Sequence, residues 1–178
     1  MNWLFNIFSR GLLSGRWTGS YEQDGQTFQI ETSIRHRGNK LQGTMLDLKR
    51  SHQQPLRKAL EAAGLPFNEI QQFIQEVRSQ FPDSIDGKID YLSCLPEQSL
   101  IEGCTDGSRI SFTKRYEGHQ EIEYILGDLV MPQSVPCEIV EYSGTFNSDR
   151  ISGIWFIKPS NKSDTKASGT FQLTRENT

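Results

Sequence analysis

Lys114 is the residue with the most chemistry to offer. Ile110, Phe112, Lys114 and Tyr116 alternate with Ser111, Thr113 and Arg115. Successive residues of a strand point to opposite faces, so the lysine shares its face with Ile110, Phe112 and Tyr116. A lysine rarely goes fully inside a protein unless it is paired. Two readings follow. In one, its ammonium receives the carboxylate or phosphate of a ligand; in the other, it lies at the mouth of the interior and snorkels to water. Asp47 has the same inward parity as Met45 and offers an internal counter-ion. A desolvated lysine can also be a Schiff-base nucleophile, but nothing in this sequence singles that role out.

Other inward positions surround this one. Trp17, Tyr21, Phe28, Ile30, Met45, Phe112, Tyr116 and Trp155 read as facing the same interior. Small-molecule sites combine an aromatic lining with a few polar tips. The candidate ligand-binding set is therefore Lys114, Tyr21, Tyr116, Trp155, Met45 and Phe112. Tyr124 and Tyr142 recur in two similar pieces, Glu123–Gly127 and Glu141–Gly144. Their hydroxyls either serve a ligand or lie wet at a core boundary. His36, His52 and His119 are scattered without metal-ligand spacing and read as surface residues. No Gly-rich phosphate loop, G-x-S-x-G elbow or H-E-x-x-H is found. The expectation is no catalytic residue, no metal, no haem and no other cofactor.

The elements that must position these residues are strands. Phe28, Ile30, Thr32 and Ile34 alternate with Gln29, Glu31, Ser33 and Arg35, and Ile151, Gly153, Trp155 and Ile157 form a similar set. Period-two alternation marks half-buried strands. Turn signals separate the runs at Asp24-Gly25, Arg37-Gly38-Asn39, Asp106-Gly107 and Asn147-Ser148-Asp149. Eight to ten strands with short connections imply antiparallel neighbours. The fold expected is all-β with a small helical insertion, built as an up-and-down barrel of 8–10 strands. A barrel of about eight strands is either filled by side chains or holds one small ligand.

Residues 51–82 break the strand pattern. Pro55 suits a first helical position and Gly64 a stop. Phe67, Ile70, Ile74, Val77 and Phe81 then step by three or four, the stripe of an amphipathic helix. The pair either caps one end of a barrel, packs on its wall or contacts another subunit. Residues 1–13 read as a short amphipathic helix through Leu4, Ile7, Phe8 and Leu12 that plugs the barrel bottom. The whole chain, 1–178, is expected to be one domain.

Four segments resemble the avidin family. Leu13-Ser14-Gly15-Arg16-Trp17-Thr18 is similar to its opening strand, and Arg37-Gly38-Asn39-Lys40-Leu41-Gln42-Gly43-Thr44 to its turn into a Gly-Thr strand. Ile154-Trp155-Phe156-Ile157-Lys158 and Phe171-Gln172-Leu173-Thr174-Arg175 are similar to later strands. The wider calycin group, with lipocalins and fatty-acid-binding proteins, also opens with Gly-x-Trp. The resemblance implies a calycin-type barrel. It does not imply biotin binding, because the family's Asn after Trp-Thr is Gly19 here and its Tyr after Gly-Thr is Met45.

The bulk properties narrow the function. A formal net charge of -3 over 178 residues gives no support for nucleic-acid binding. Three cysteines, Cys94, Cys104 and Cys137, form no C-x-x-C pair, and free thiols fit a reducing compartment. No apolar run approaches the roughly 20 residues of a membrane span, and the apolar start lacks a basic n-region. A cytoplasmic monomer is expected. Its function reads as binding a small hydrophobic or amphipathic ligand, with an acidic end as one option. The alternative is a non-enzymatic interaction module with a filled barrel, meeting its partner through the helical insertion or outer face.

Overall fold

The computed structural model describes residues 11–23, 25–62, 64–80, 89–126, 128–157 and 167–176. In chain order the elements are β1 (Gly15–Gln23), β2 (Gln26–Arg37), β3 (Lys40–Asp47), β4 (Ser51–Pro55), α1 (Leu56–Ala62), α2 (Phe67–Gln80), β5 (Ile89–Cys94), β6 (Gln98–Asp106), β7 (Arg109–Tyr116), β8 (His119–Leu126), β9 (Leu129–Pro136), β10 (Val140–Phe146), β11 (Arg150–Ile157) and β12 (Ala167–Arg175). They fall into two compact units.

The first unit comprises Met1–Lys49, Pro96–Gly118 and Cys137–Thr178. Its eight strands close into a barrel in the order β1-β12-β11-β10-β7-β6-β3-β2. Each ladder of the barrel is antiparallel. Neighbours in the barrel are neighbours in the chain once β4, β5, β8 and β9 are passed over, which is the up-and-down arrangement. Two-residue connections make the sharpest hairpins. Arg37 pairs with Lys40 across Gly38-Asn39, and Asp106 pairs with Arg109 across Gly107-Ser108. Gly38 at φ 60° and Gly107 at φ 59° occupy the left-handed region that these tight turns require.

Strand alternation sets the interior. Ile30, Thr32, Ile34 and His36 are buried along β2 while their neighbours Ser33 and Arg35 are exposed. Trp17, Tyr21, Ile30, Met45, Phe112 and Trp155 are buried in one cluster, with Phe28 and Tyr116 packed against it. The eight residues of the inward list drawn from parity all belong to this interior, which also takes in Tyr142 and Phe171.

Trp17 fastens one end of the barrel. It is fully buried, and its Nε1 donates to the Leu13 carbonyl at 3.0 Å. The Arg175 guanidinium lies 4.4 Å over its ring and donates to the carbonyls of Leu12, Ser14 and Ser148. The expected helical plug over 1–13 falls largely outside the described residues. Of its last residues, Leu13 is fully buried and Leu12 is exposed.

His36 belongs to the same end and is not a surface residue. It is 7% exposed. Leu13 N donates to its Nδ1 at 3.4 Å, so the neutral ring carries its proton on Nε2, which donates to Thr105 Oγ1 at 3.0 Å. Burial lowers its pKa below the ordinary 6.5, with the Gly38 backbone hydrogen bond opposing. Because the folded pKa is the depressed one, the unfolded chain takes up the proton first on acidification. The stability from this group is fully present above pH 6.5 and is lost as pH falls through the folded value. Melting curves between pH 7.5 and 5 should show a fall in stability that His36→Gln reduces.

The second unit comprises Arg50–Leu95 and His119–Pro136. It holds a four-stranded antiparallel sheet in the order β4-β5-β8-β9. The β5–β8 ladder joins the two chain segments that build the unit. Leu56 of α1 is buried against Leu60, Ile74 and Val77 of the helices and Tyr91, Tyr124, Leu129 and Met131 of the sheet. Two helices, α1 and α2, lie within 51–82, but Ser51–Pro55 is strand β4, so Pro55 ends a strand where a first helical position was expected. Ile70, Ile74 and Val77 follow the predicted stripe, but Phe67 is 62% exposed beneath the Arg57 guanidinium. Phe81 lies outside the described residues. Prolines stand in both edge strands, Pro55 in β4 and Pro132 and Pro136 in β9. Proline cannot donate to a ladder, so it suits edges and blunts them against further pairing.

Candidate ligand site

Asp47 ends β3 and Lys114 lies near the end of β7, with β6 between these strands. In register, Met45 faces Ser99 and Ser99 faces Tyr116. Ser99 is small and fully buried, and its hydroxyl turns away to donate to the Met45 carbonyl at 2.7 Å. Side chains one step along β3 and β7 can therefore meet across it. Lys114 Nζ reaches Asp47 Oδ2 at 2.5 Å, with side chains 1% and 2% exposed.

The lysine is therefore not at a mouth in contact with water. It is an internal ion pair with the counter-ion that parity offered. Lys114 Nζ also lies 4.4 Å from the centroid of the Tyr116 ring and 6.0 Å from that of Tyr21. Burial lowers the Lys114 pKa, and the Asp47 charge opposes that shift. Burial and then the Asp47 charge raise the phenols of Tyr21, Tyr116 and Tyr142, and for Tyr21 and Tyr116 a hydrogen bond donated to Asp47 adds to the rise, so all three keep their protons at neutral pH. The Cys137 thiol is pushed up by burial, against the pull of the Lys114 charge.

Two aromatic groups complete the interior. Tyr21 stacks on Phe28 at 5.0 Å and meets Trp155 edge-on at 5.8 Å. Phe112 stacks on Tyr142 at 4.6 Å, and Phe171 stands edge-on to both. The Trp155 Nε1 donates to the Glu22 carbonyl at 3.1 Å, so its indole presents an apolar surface with its donor already used.

Lys114, Tyr21 and Tyr116 are thus gathered around Asp47, with Trp155 against Tyr21. Phe112 belongs to the second aromatic group, and Met45 lies two residues before Asp47 on β3. Tyr142 was expected wet at a core boundary or in a ligand contact; it is 3% exposed and inside the barrel. Its partner in the sequence comparison, Tyr124, belongs to the second unit and packs edge-on to Tyr91. Phe171 and Tyr142 extend the candidate set, and the alternation of Val140 with Tyr142 was the signal for the latter.

Gly19, where the resemblance would have an asparagine, packs against backbone. A Cβ there would lie 1.9 Å from the Gln172 carbonyl oxygen of β12. No side chain fits without moving backbone. Gly19→Ala should destabilise the protein by about 1–3 kcal/mol, the usual range for overpacking, as read from urea midpoints.

On the outer face of β1, β11 and β12 lies a depression of about 320 Å³ lined by residues including Ser20, Glu22, Arg150 and Gln172. Arg150 donates to Gln172 there at 2.9 Å, and Thr170 to Glu22 at 3.3 Å. No described helix is long and apolar enough to cross a membrane. No group of three or more metal-ligating side chains occurs among the described residues. No family model, curated protein or solved structure matches the chain.

Proposed function

We propose that the barrel is a calycin-like binding protein for a small, largely apolar molecule. Its polar end meets the Lys114–Asp47 pair, and its body lies among Tyr21, Tyr116, Trp155, Met45 and Phe112. The observation that carries this reading is the fully desolvated ion pair beside protonated phenols inside a largely apolar barrel. A buried pair is weak as a stabiliser, because desolvation cancels much of its attraction. Positioned polar groups in an aromatic lining are what ligand sites use to fix orientation.

A second reading, a filled barrel in an interaction module, has the exposed Phe67 and Phe73 of α2 in its favour. Native mass spectrometry of the purified protein separates the two. The ligand reading expects a small-molecule adduct that dissociates on activation. A clean apo mass, unchanged after incubation with a hydrophobic small-molecule extract, supports the filled barrel.

A further inference from the structure

The β2–β3, β6–β7 and β10–β11 hairpins, the start of β1 and the end of β12 lie at one end of the barrel, because neighbouring strands run in opposite directions. At the other end β3 and β7 finish and β6 and β10 begin. The hairpin end carries Arg37 and Lys40 on the first turn, Arg109 on the second and Arg150 on the third, with Arg35 on the same outer face as Arg37. All of these side chains are exposed. The carboxylates at this end are Asp106, Asp149 and Glu176, and Glu176 is already paired with Arg16. Among the described residues Arg35, Arg37, Lys40 and Arg109 enter no ion pair. A chain with a formal net charge of -3 thus gathers cations at one end of its barrel.

Residues 1–10 lead into the same end. Gly11 N donates to the His36 carbonyl at 3.0 Å, and the next residue, Leu12, is 55% exposed. The sequence before them reads Trp3-Leu4-Phe5-Asn6-Ile7-Phe8-Ser9-Arg10, in which Arg10 is the one charged side chain. Segments that lie in a lipid interface combine apolar and aromatic residues with a basic face. This segment has the first and almost none of the second, and the barrel end supplies what it lacks. Each Lys or Arg held close to an anionic leaflet adds about fivefold to partitioning. A nucleic-acid strand would use the same cations but leave Leu4, Ile7, Phe8 and Leu12 in water, whereas a bilayer takes both sets. We propose that this end of the barrel docks on an anionic membrane surface, with the apolar side chains of residues 3–8 and Leu12 in the lipid interface and Arg35, Arg37, Lys40 and Arg109 over the headgroups. The attachment is peripheral, since no apolar run here reaches the roughly 20 residues of a span. It is independent of what the barrel encloses.

The test is co-sedimentation of the full chain with vesicles of phosphatidylcholine alone or with about 30% phosphatidylserine, where the anionic vesicles should bind it about tenfold or more tightly than the neutral ones. Raising the salt from about 0.1 M to about 0.5 M should weaken that binding, because the surface charges are then screened. Arg37→Glu/Lys40→Glu, on an exposed turn, should weaken it about tenfold or more. Trp3→Ser/Phe5→Ser/Phe8→Ser, with its fold checked by circular dichroism, should do the same by removing the apolar contact. Quenching of the parent's fluorescence by brominated lipid, reduced in Trp3→Phe, places residue 3 in the bilayer without relying on the triple variant. Equal binding to neutral and anionic vesicles overturns the proposal, as does unchanged binding by the charge variant or unchanged quenching in Trp3→Phe. Absence of vesicle binding overturns it as well, and binding to oligothymidylate in its place would make this end a nucleic-acid surface.

Discussion

Trp17→Ala lowers the unfolding free energy by about 3–5 kcal/mol, the range for truncating a large core aromatic. Three losses combine. The side chain is fully buried, so its removal leaves a cavity at the barrel end. The Leu13 carbonyl loses its indole donor. The Arg175 guanidinium loses the ring on which it lies. That guanidinium also ties Leu12, Ser14 and Ser148, so the damage reaches both the entry to β1 and the β10–β11 connection. Urea titration checks the size of the effect. Trp17→Phe keeps ring packing but not the donor and should cost less than half as much. An unchanged midpoint for Trp17→Ala would remove the anchor from the description.

Lys114→Met is expected to cost about 3–5 kcal/mol, because it strands a buried carboxylate. Removing an unpaired buried lysine would cost little or even stabilise, so the pairing with Asp47 sets the sign. Asp47→Leu should cost a similar amount by stranding the ammonium. The double variant should recover most of the loss, since replacing a buried pair by apolar residues of similar volume is often neutral or stabilising. The recovery is what distinguishes a coupled pair from two unrelated packing sites. Simple additivity of the two single losses would show that the contact contributes nothing to folding.

These contrasts show what period-two alternation can and cannot tell. It put Lys114 and Asp47 on the inside because parity is a property of the strand. It could not tell depth, so a lysine at the mouth and a lysine deep in the barrel looked alike. It also held the answer for His36, which keeps step with Ile34 and Thr32; the flanking Arg35 and Arg37 made it look like a surface residue. The second sheet was harder to see. β4 reads Ser-His-Gln-Gln-Pro and β9 contains two prolines. Neither has the β-branched and aromatic character that marks a strand. Their fellow strands β5 and β8 pair across a long separation in sequence, and a local pattern carries no trace of such a partner. The candidate site was legible in its residue types, while the depth of the Lys114–Asp47 pair needed three-dimensional geometry.

The two excursions of the chain have a consequence for the order of assembly. Four of the eight barrel seams close over connections of two or three residues, but β3 meets β6 only after residues 48–97, and β7 meets β10 only after residues 117–139. Loop-closure entropy grows only logarithmically, by about 0.6 kcal/mol per doubling of length, so these detours are a modest thermodynamic burden. Kinetically they matter more, since non-local seams slow folding. The β5–β8 ladder changes that accounting. Once β5 has found β8, the two excursions are cross-linked, and closing one seam raises the local concentration of the strands that must form the other. The detours then act as a clasp: these two seams of the barrel zip as a coupled pair instead of as two independent searches, leaving β1–β12 as the remaining long-range seam.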